Sequence, residues 1–311
     1  MMASRFLFRP FTRNSATTKV ASVKRSNALL LVSALLLAYG SYAAAAAADG
    51  TLAKIAKRGE LRIGYDKDSE PMSFVDKDGS PAGYSVDLCR RIASAVKTEL
   101  KRDDLKVTFV AVDFDGKFKA MVNGDIDLEC GSTTITLGRY EMIDFSVLTF
   151  VTGGSFLSRG TKPVDTVADL AGKSVAVIPG TTTETALKQL LKDHLIDAKV
   201  VSVKDHVEGV AKLDAGQVAA LASDQLLLIG QLMKSQNPKN YALSNDLYSY
   251  EPYGLVVPKD DAAFRLVVNR ALVQMYRNSQ YVDIFGRWIG SFGIKPSPVL
   301  VSMFAIQQFS D

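Results

Sequence analysis

The chain has 311 residues, 47% of them hydrophobic and 23% charged, with 37 lysines and arginines against 33 acids for a net charge of +4. Only two cysteines (Cys89, Cys130) and two histidines (His194, His206) occur, and at such scattered positions they do not make a metal site. The basic excess is unevenly placed, and its placement removes the main support for a nucleic-acid partner.

Residues 1–48 hold Arg5, Arg9, Arg13, Lys19, Lys24 and Arg25 and no acid; an apolar run over 28–39 and a stretch of alanines follow, ending at Ala48-Asp49. A basic region, a hydrophobic region and a small-residue cleavage site are the layout of a secretory signal, so cleavage is expected near Ala48. A retained membrane anchor is the alternative, since the apolar run with its alanines approaches a bilayer span. Residues 1–48 hold no adjacent arginine pair, which favours a general export route over the twin-arginine one. Without the leader and its six basic residues the chain holds 31 basic and 33 acidic residues, a net charge of −2. Its 263 residues suffice for a large core in one big domain or two lobes.

Along that exported part the pattern predicts a short helix over 52–58 stopped by Gly59, a strand over 61–65 and a loop over 66–71. Asp76-Lys77-Asp78-Gly79 is turn chemistry. A helix over 86–100, a strand over 107–112, a helix over 116–122 capped by Asn123-Gly124 and a strand over 126–130 follow. A second series has strands at 154–158, 174–178, 200–203 and 219–222, with helices from Thr181 onward and over 206–214. A strand at 254–257 and helices over 262–278 and 281–288 close the chain. Alternating strands and helices argue for parallel βαβ units. Crossings near 150–153 and 249–254 would make one lobe continuous and build the other from both ends, an arrangement suited to hinge closure around a ligand. The expected division is a leader over 1–48, a first lobe over 49–151 and 252–311, and a second lobe over 152–251.

One segment points to chemistry. The strand over 126–130 runs into Glu129-Cys130-Gly131-Ser132-Thr133-Thr134, with Arg139 five residues on. In open α/β sheets ligands sit outside the carboxyl ends of strands. Hydroxyls plus one guanidinium there suit a small zwitterion, whose carboxylate an arginine grips with two parallel bonds. The same residues also read as a polar strand end with Arg139 paired to Glu141 or Asp144, and the segment alone does not choose. Cys89 lies on a helical stripe with Ile92, Ala93 and Val96, and Cys130 shares a face with Ile126 and Leu128. A disulfide between them is permitted by an export compartment but not implied by the sequence.

Several motifs in order carry a resemblance: Gly83-Tyr84-Ser85-Val86-Asp87-Leu88, the Glu129–Thr134 run with Arg139, Asp169-Leu170-Ala171-Gly172-Lys173, Gly180-Thr181-Thr182, Lys204-Asp205-His206, Ser223-Asp224 and Phe285-Gly286-Arg287-Trp288. Over 52–290 the chain resembles the periplasmic amino-acid-binding proteins of ABC uptake systems, extracellular solute-binding family 3, and within it the glutamate/aspartate-binding type. The resemblance implies an α/β, two-lobed periplasmic-binding-protein (type II) fold, each lobe a mostly parallel sheet flanked by helices, with two hinge crossings. It implies a periplasmic monomer with no cofactor, whose partners are a free amino acid and an ABC permease in the inner membrane. Residue by residue, Arg139 matches the holder of the α-carboxylate, Ser132 and Thr134 match ligand-backbone contacts, and Asp224 matches the acceptor of the α-ammonium. Thr181 sits at a helix start where free N–H groups favour an anion, and His206 matches a residue meeting the ligand side chain.

Two positions depart from the acidic-ligand type, which has arginines where this chain has Asp66 and Lys117. Asp66 and Phe114 resemble relatives that bind glutamine or basic amino acids, with Phe114 available to stack on a ligand. Glutamate/aspartate and glutamine/asparagine therefore both stay open as ligands, with a basic amino acid as the outsider. The ligand-binding set is then Asp66, Phe114, Lys117, Ser132, Thr134, Arg139, Thr181, His206 and Asp224. Two other classes compete: a cleft enzyme of the dehydratase type, for which Ser132, His206 and Asp224 supply residue types but no nucleophile elbow, and a membrane-tethered sensor domain.

Overall fold

The computed structural model describes residues 50–310 apart from Asp115, so the leader expected over 1–48 lies outside the described residues. Helix α1 (Thr51–Arg58) ends at Gly59, whose left-handed φ of 71° lets its N–H return to Ile55 O at 2.8 Å. Strand β1 (Glu60–Tyr65) follows, then a small three-stranded sheet of β2 (Asp68–Ser69), β3 (Ser73–Val75) and β4 (Pro81–Ala82). Helix α2 (Tyr84–Leu100) starts at Gly83, where φ is 126° and a Cβ would sit 2.3 Å from Met72 O. Only glycine fits there. The buried stripe of α2, Leu88, Cys89, Ile92, Ala93 and Val96, packs on the first sheet.

That sheet has the order β5–β1–β6–β13–β7, with β5 (Lys106–Ala111), β6 (Leu128–Glu129), β7 (Asp144–Thr152) and β13 (Glu251–Val257). β5, β1 and β6 run parallel, while β13 lies antiparallel to β6 and β7. Helix α3 (Lys117–Asn123) precedes β6 and ends at Gly124, as the sequence indicated. Strand β6 is shorter than the expected 126–130. Backbone bonds from Asp127 N–H to Arg62 O and from Cys130 N–H to Gly64 O nevertheless carry the pairing past both its ends.

The second sheet repeats the plan: β10–β9–β11–β8–β12, from β8 (Gly154–Arg159), β9 (Ser174–Val177), β10 (Lys199–Ser202), β11 (Ala220–Asp224) and β12 (Tyr241–Leu243). Again three strands are parallel, and β8 lies antiparallel to β11. Helices α4 (Thr182–Asp193), α5 (His206–Asp214) and α6 (Gln225–Lys234) flank it. The chain leaves the first sheet between Thr152 and Gly154 and returns to it at Glu251, giving two lobes.

Helices α7 (Ala262–Arg277), α8 (Gln280–Trp288) and α9 (Pro298–Ile306) pack back on the first lobe. Trp288 stacks edge-on to Phe74 and donates from Nε1 to Asp87 at 2.7 Å; Tyr276 and Tyr281 pack around Phe304. Helix α9, unforeseen from the sequence, covers the edge strand β7. The Gln307 amide accepts from Leu148 N–H (2.7 Å) and donates to Leu148 O (3.0 Å), taking the place of a further strand. An edge strand left bare would be a template for wrong pairing.

Candidate ligand cleft

Of the nine expected site residues, Asp66, Phe114 and His206 line one cavity, while Thr134, Arg139 and Asp224 gather around Glu251 and do not line it. Asp66 follows β1. Its N–H donates to Ser73 Oγ (2.9 Å), which fixes the backbone, and the residue is 6% exposed. Asp66 and Phe114 line one wall of a cavity of about 590 Å³, with Ile178, Asp205 and His206 on the other. Lys117, on the first turn of α3, is 1% exposed and does not line that cavity. Its ammonium lies 4.8 Å from the Phe114 ring centre, 5.7 Å from that of Phe118 and 3.8 Å from Glu129 Oε1.

The run after β6 meets β13 through an isolated antiparallel bridge between Thr134 and Tyr253. The Ser132 hydroxyl is half-buried and without a hydrogen-bond partner among the described residues. Thr134 Oγ1 donates to Glu251 Oε2 (2.7 Å), and its carbonyl accepts from Arg139 Nη1 (2.6 Å). The Arg139 guanidinium sits over Phe118 at 5.2 Å and pairs with neither Glu141 nor Asp144; Asp144 is taken by Arg265 (2.8 Å). The surface-pairing alternative for Arg139 is thus not the one adopted. Burial lowers the Arg139 pKa, and the carboxylates of Glu251, Glu129 and Asp224 oppose that shift and keep it cationic.

From the second lobe, Thr181 caps α4. Its hydroxyl accepts from Glu184 N–H (3.1 Å) and donates to Ile178 O (2.8 Å), so what it offers the cleft is backbone at a helix N-terminus. The neighbouring Thr182 hydroxyl reaches across, donating to Glu251 Oε2 (2.5 Å) beside Thr134 Oγ1 (3.3 Å). His206 is buried, its Nε2 is 3.0 Å from Ser223 Oγ, and its backbone N–H donates to Asp68 (3.3 Å). Burial lowers its pKa against the pull of Asp68, Asp66 and Asp205, so the imidazole is neutral at pH 7. Asp224, at the end of β11, accepts from the Tyr253 hydroxyl on β13 of the opposite lobe. Burial, with Glu251 beside it, pushes Asp224 up to about 7 against the pull of Tyr253, Arg139 and Lys117.

The site holds more than the sequence disclosed. Glu129, Thr182, Glu251 and Tyr253 all belong to the cluster. Glu129 and Thr182 stood inside motifs already singled out, whereas Glu251 and Tyr253 carried no local signal. Glu251 bridges the lobes by accepting from Thr134, Thr182 and Ser249.

A stability consequence follows from the buried acids. Glu129 is pushed up to about 7 by burial and by Asp66, from an ordinary 4.5; Asp224 rises from 3.8 to about 7. A carboxylate whose folded pKa is raised contributes stability below its unfolded pKa and loses it as pH rises through the folded one. The ligand-free protein is therefore expected to melt at a lower temperature at pH 8.5 than at pH 6.5, a range above the one in which His206 changes charge. Calorimetry across that range checks this, and a midpoint rising with pH would contradict it.

The profile of the bacterial extracellular solute-binding proteins, family 3, matches residues 61–291. The chain belongs to that family. It is 36% identical over 240 residues to the L-glutamate/L-aspartate-binding protein of Pseudomonas aeruginosa, covering 77% of this chain and 80% of the relative. It is 33% identical to the glutamate/aspartate import solute-binding protein of Escherichia coli, covering 79% and 81%. Among solved structures, an ancestral arginine-binding protein bound to arginine superposes with a TM-score of 0.67 at 30% identity, over 75% of this chain and 99% of that one. The architecture of this family 3 protein is the type II periplasmic-binding-protein fold, two sheet-containing lobes flanked by helices. These relatives are named as binding proteins rather than as enzymes.

Proposed function

We propose that this family 3 protein is the periplasmic solute-binding component of an ABC-type amino-acid uptake system. It binds one free polar L-amino acid, glutamate/aspartate or glutamine/asparagine, in the interlobe cleft and presents it to an inner-membrane permease. One observation carries the reading. A guanidinium (Arg139), a buried carboxylate (Asp224) and hydroxyls from both lobes (Thr134, Thr182) gather around Glu251 where the two sheets' strands meet.

An α-carboxylate and an α-ammonium on one carbon need that pairing of opposite charges. Arg139 supplies a planar fork for the first and Asp224 accepts from the second. Ser132 and the backbone at Thr181 offer further contacts, and the side chain extends toward Asp66, Phe114 and His206. Because the contacts come from both lobes, a ligand that makes all of them stabilises the closed arrangement over an open one. Water is excluded on closure, so any ligand group left unpaired costs free energy and the head group is read as a unit.

A thermal-shift panel of the common amino acids tests this. A ligand at one hundred times its Kd adds about 2.7 kcal/mol to the folded state. Glutamate, aspartate, glutamine or asparagine is expected to raise the midpoint, and the same side chains without an α-amino group are not. No shift with any amino acid would end the proposal.

A further inference from the structure

Glu129 has no place in the clamp for the amino-acid head group, yet its position is specific. It is 0% exposed, at the end of β6, with Oε2 accepting from Thr133 Oγ1 (2.9 Å) and Oε1 accepting from nothing. A buried acceptor without a donor is costly and uncommon. The charged groups facing this carboxylate are Lys117 from α3, Asp66 after β1 and Arg139 from the turn beyond Thr134. Lys117 Nζ, at 3.8 Å from Oε1, is too far for a hydrogen bond. The other near group is Asp66. A Cβ built on Gly131 would lie 2.2 Å from Glu129 Oε1 and 2.4 Å from Asp66 Oδ2, so the two oxygens converge on the space that glycine leaves open.

We infer that Glu129 carries a proton directed at Asp66 across Gly131, and that this proton sets which ligand side chains the cleft accepts. When Glu129 is protonated, its O–H donates to Asp66 and the orphaned oxygen is satisfied. The pair then carries a single negative charge. When the proton leaves, Asp66, which lines the cavity, has a second carboxylate buried beside it. Burial, and after it the like charge of Asp66, push the Glu129 carboxyl up to about 7 against the pull of Lys117. Glu129 is a positioning residue that acts through Asp66. An amino acid with an acidic side chain should bind with uptake of one proton, whereas an amide side chain, which offers N–H donors to either state, should not.

This inference rests on the amino-acid-binding reading, and the experiment separates the two. Two other groups titrate nearby. His206 has a lowered pKa and changes charge below the range used, and Asp224 acts on the α-ammonium common to every amino acid. The quantity to read is therefore the ratio of the Kd for L-glutamate to that for L-glutamine, by calorimetry between pH 6.5 and 8.5. The ratio is expected to rise about tenfold per pH unit above 7. Near pH 7.5, in buffers of different ionisation enthalpy, glutamate should take up more of a proton than glutamine does. In Glu129→Gln the ratio should be flat. A ratio constant within twofold in the unaltered protein overturns the inference whether or not the variant folds, as does glutamate failing to bind at any pH while glutamine binds. Failure of every amino acid to bind overturns the functional reading and this one with it.

Discussion

Replacing Arg139 by alanine is expected to raise the Kd for the bound amino acid by at least 100-fold and to leave the secondary structure intact. The fork of two charge-assisted bonds to a carboxylate is the strongest single contact the cleft can make, each bond contributing about 1.5–3 kcal/mol. The residue's structural duties are smaller: one bond to Thr134 O and a stack over Phe118. Arg139→Lys should fall between the two proteins, because an ammonium keeps the charge and loses the planar fork. The loss should be common to every amino acid that binds, since the α-carboxylate is common to all. Calorimetry with circular dichroism as the folding control checks this, and an unaltered Kd in the alanine variant would remove Arg139 from the site.

How far the sequence discloses this site depends on the range of the interaction. Arg139, Thr134 and Asp224 were legible because strand ends and helix starts are local patterns, and the family motifs place them there. The pattern of α2 was equally local, with apolar residues on one helical stripe up to Val96. Strand β7 was not legible. Its sequence Asp144-Phe145-Ser146-Val147-Leu148-Thr149-Phe150-Val151-Thr152 is a run with little alternation, buried in patches along both faces rather than on one. Helix α9 was missed because its purpose, covering the edge of β7, exists only once β7 is in place.

Glu251 illustrates the same limit within the site. A lone glutamate before Pro252-Tyr253 has no local signature, and its partners Thr134 and Thr182 lie 117 and 69 residues away. At helix α4, pattern reading selected the cap. Thr181 is the residue that ends the preceding loop and holds Glu184 N–H, while the hydroxyl that crosses the cleft belongs to the next residue. Helix starts are visible in sequence; which of three adjacent threonines faces the other lobe is fixed by the fold.

The two cysteines supply the other large effect. They lie on a helix stripe and at a strand end, and in the folded protein they are bonded, with Cα atoms 6.3 Å apart and a separation of 41 positions in sequence. Closing a loop of that length removes unfolded-state entropy equivalent to about 4 kcal/mol. Cys89→Ala/Cys130→Ala is therefore expected to lower the free energy of unfolding by roughly that amount in denaturant titrations, as is unfolding the natural protein under reducing conditions. The effect on ligand affinity should be much smaller, on the order of a few-fold, because the strand end keeps other ties. Cys130 N–H donates to Gly64 O at 2.9 Å and Ser85 Oγ donates to Gly131 O at 2.7 Å, so the run from Gly131 to Thr134 stays anchored without the sulfur bridge. Equal stability with and without reductant would mean that the bond does not form in solution. A large loss of affinity at unchanged stability would mean that the bridge serves the site rather than the fold.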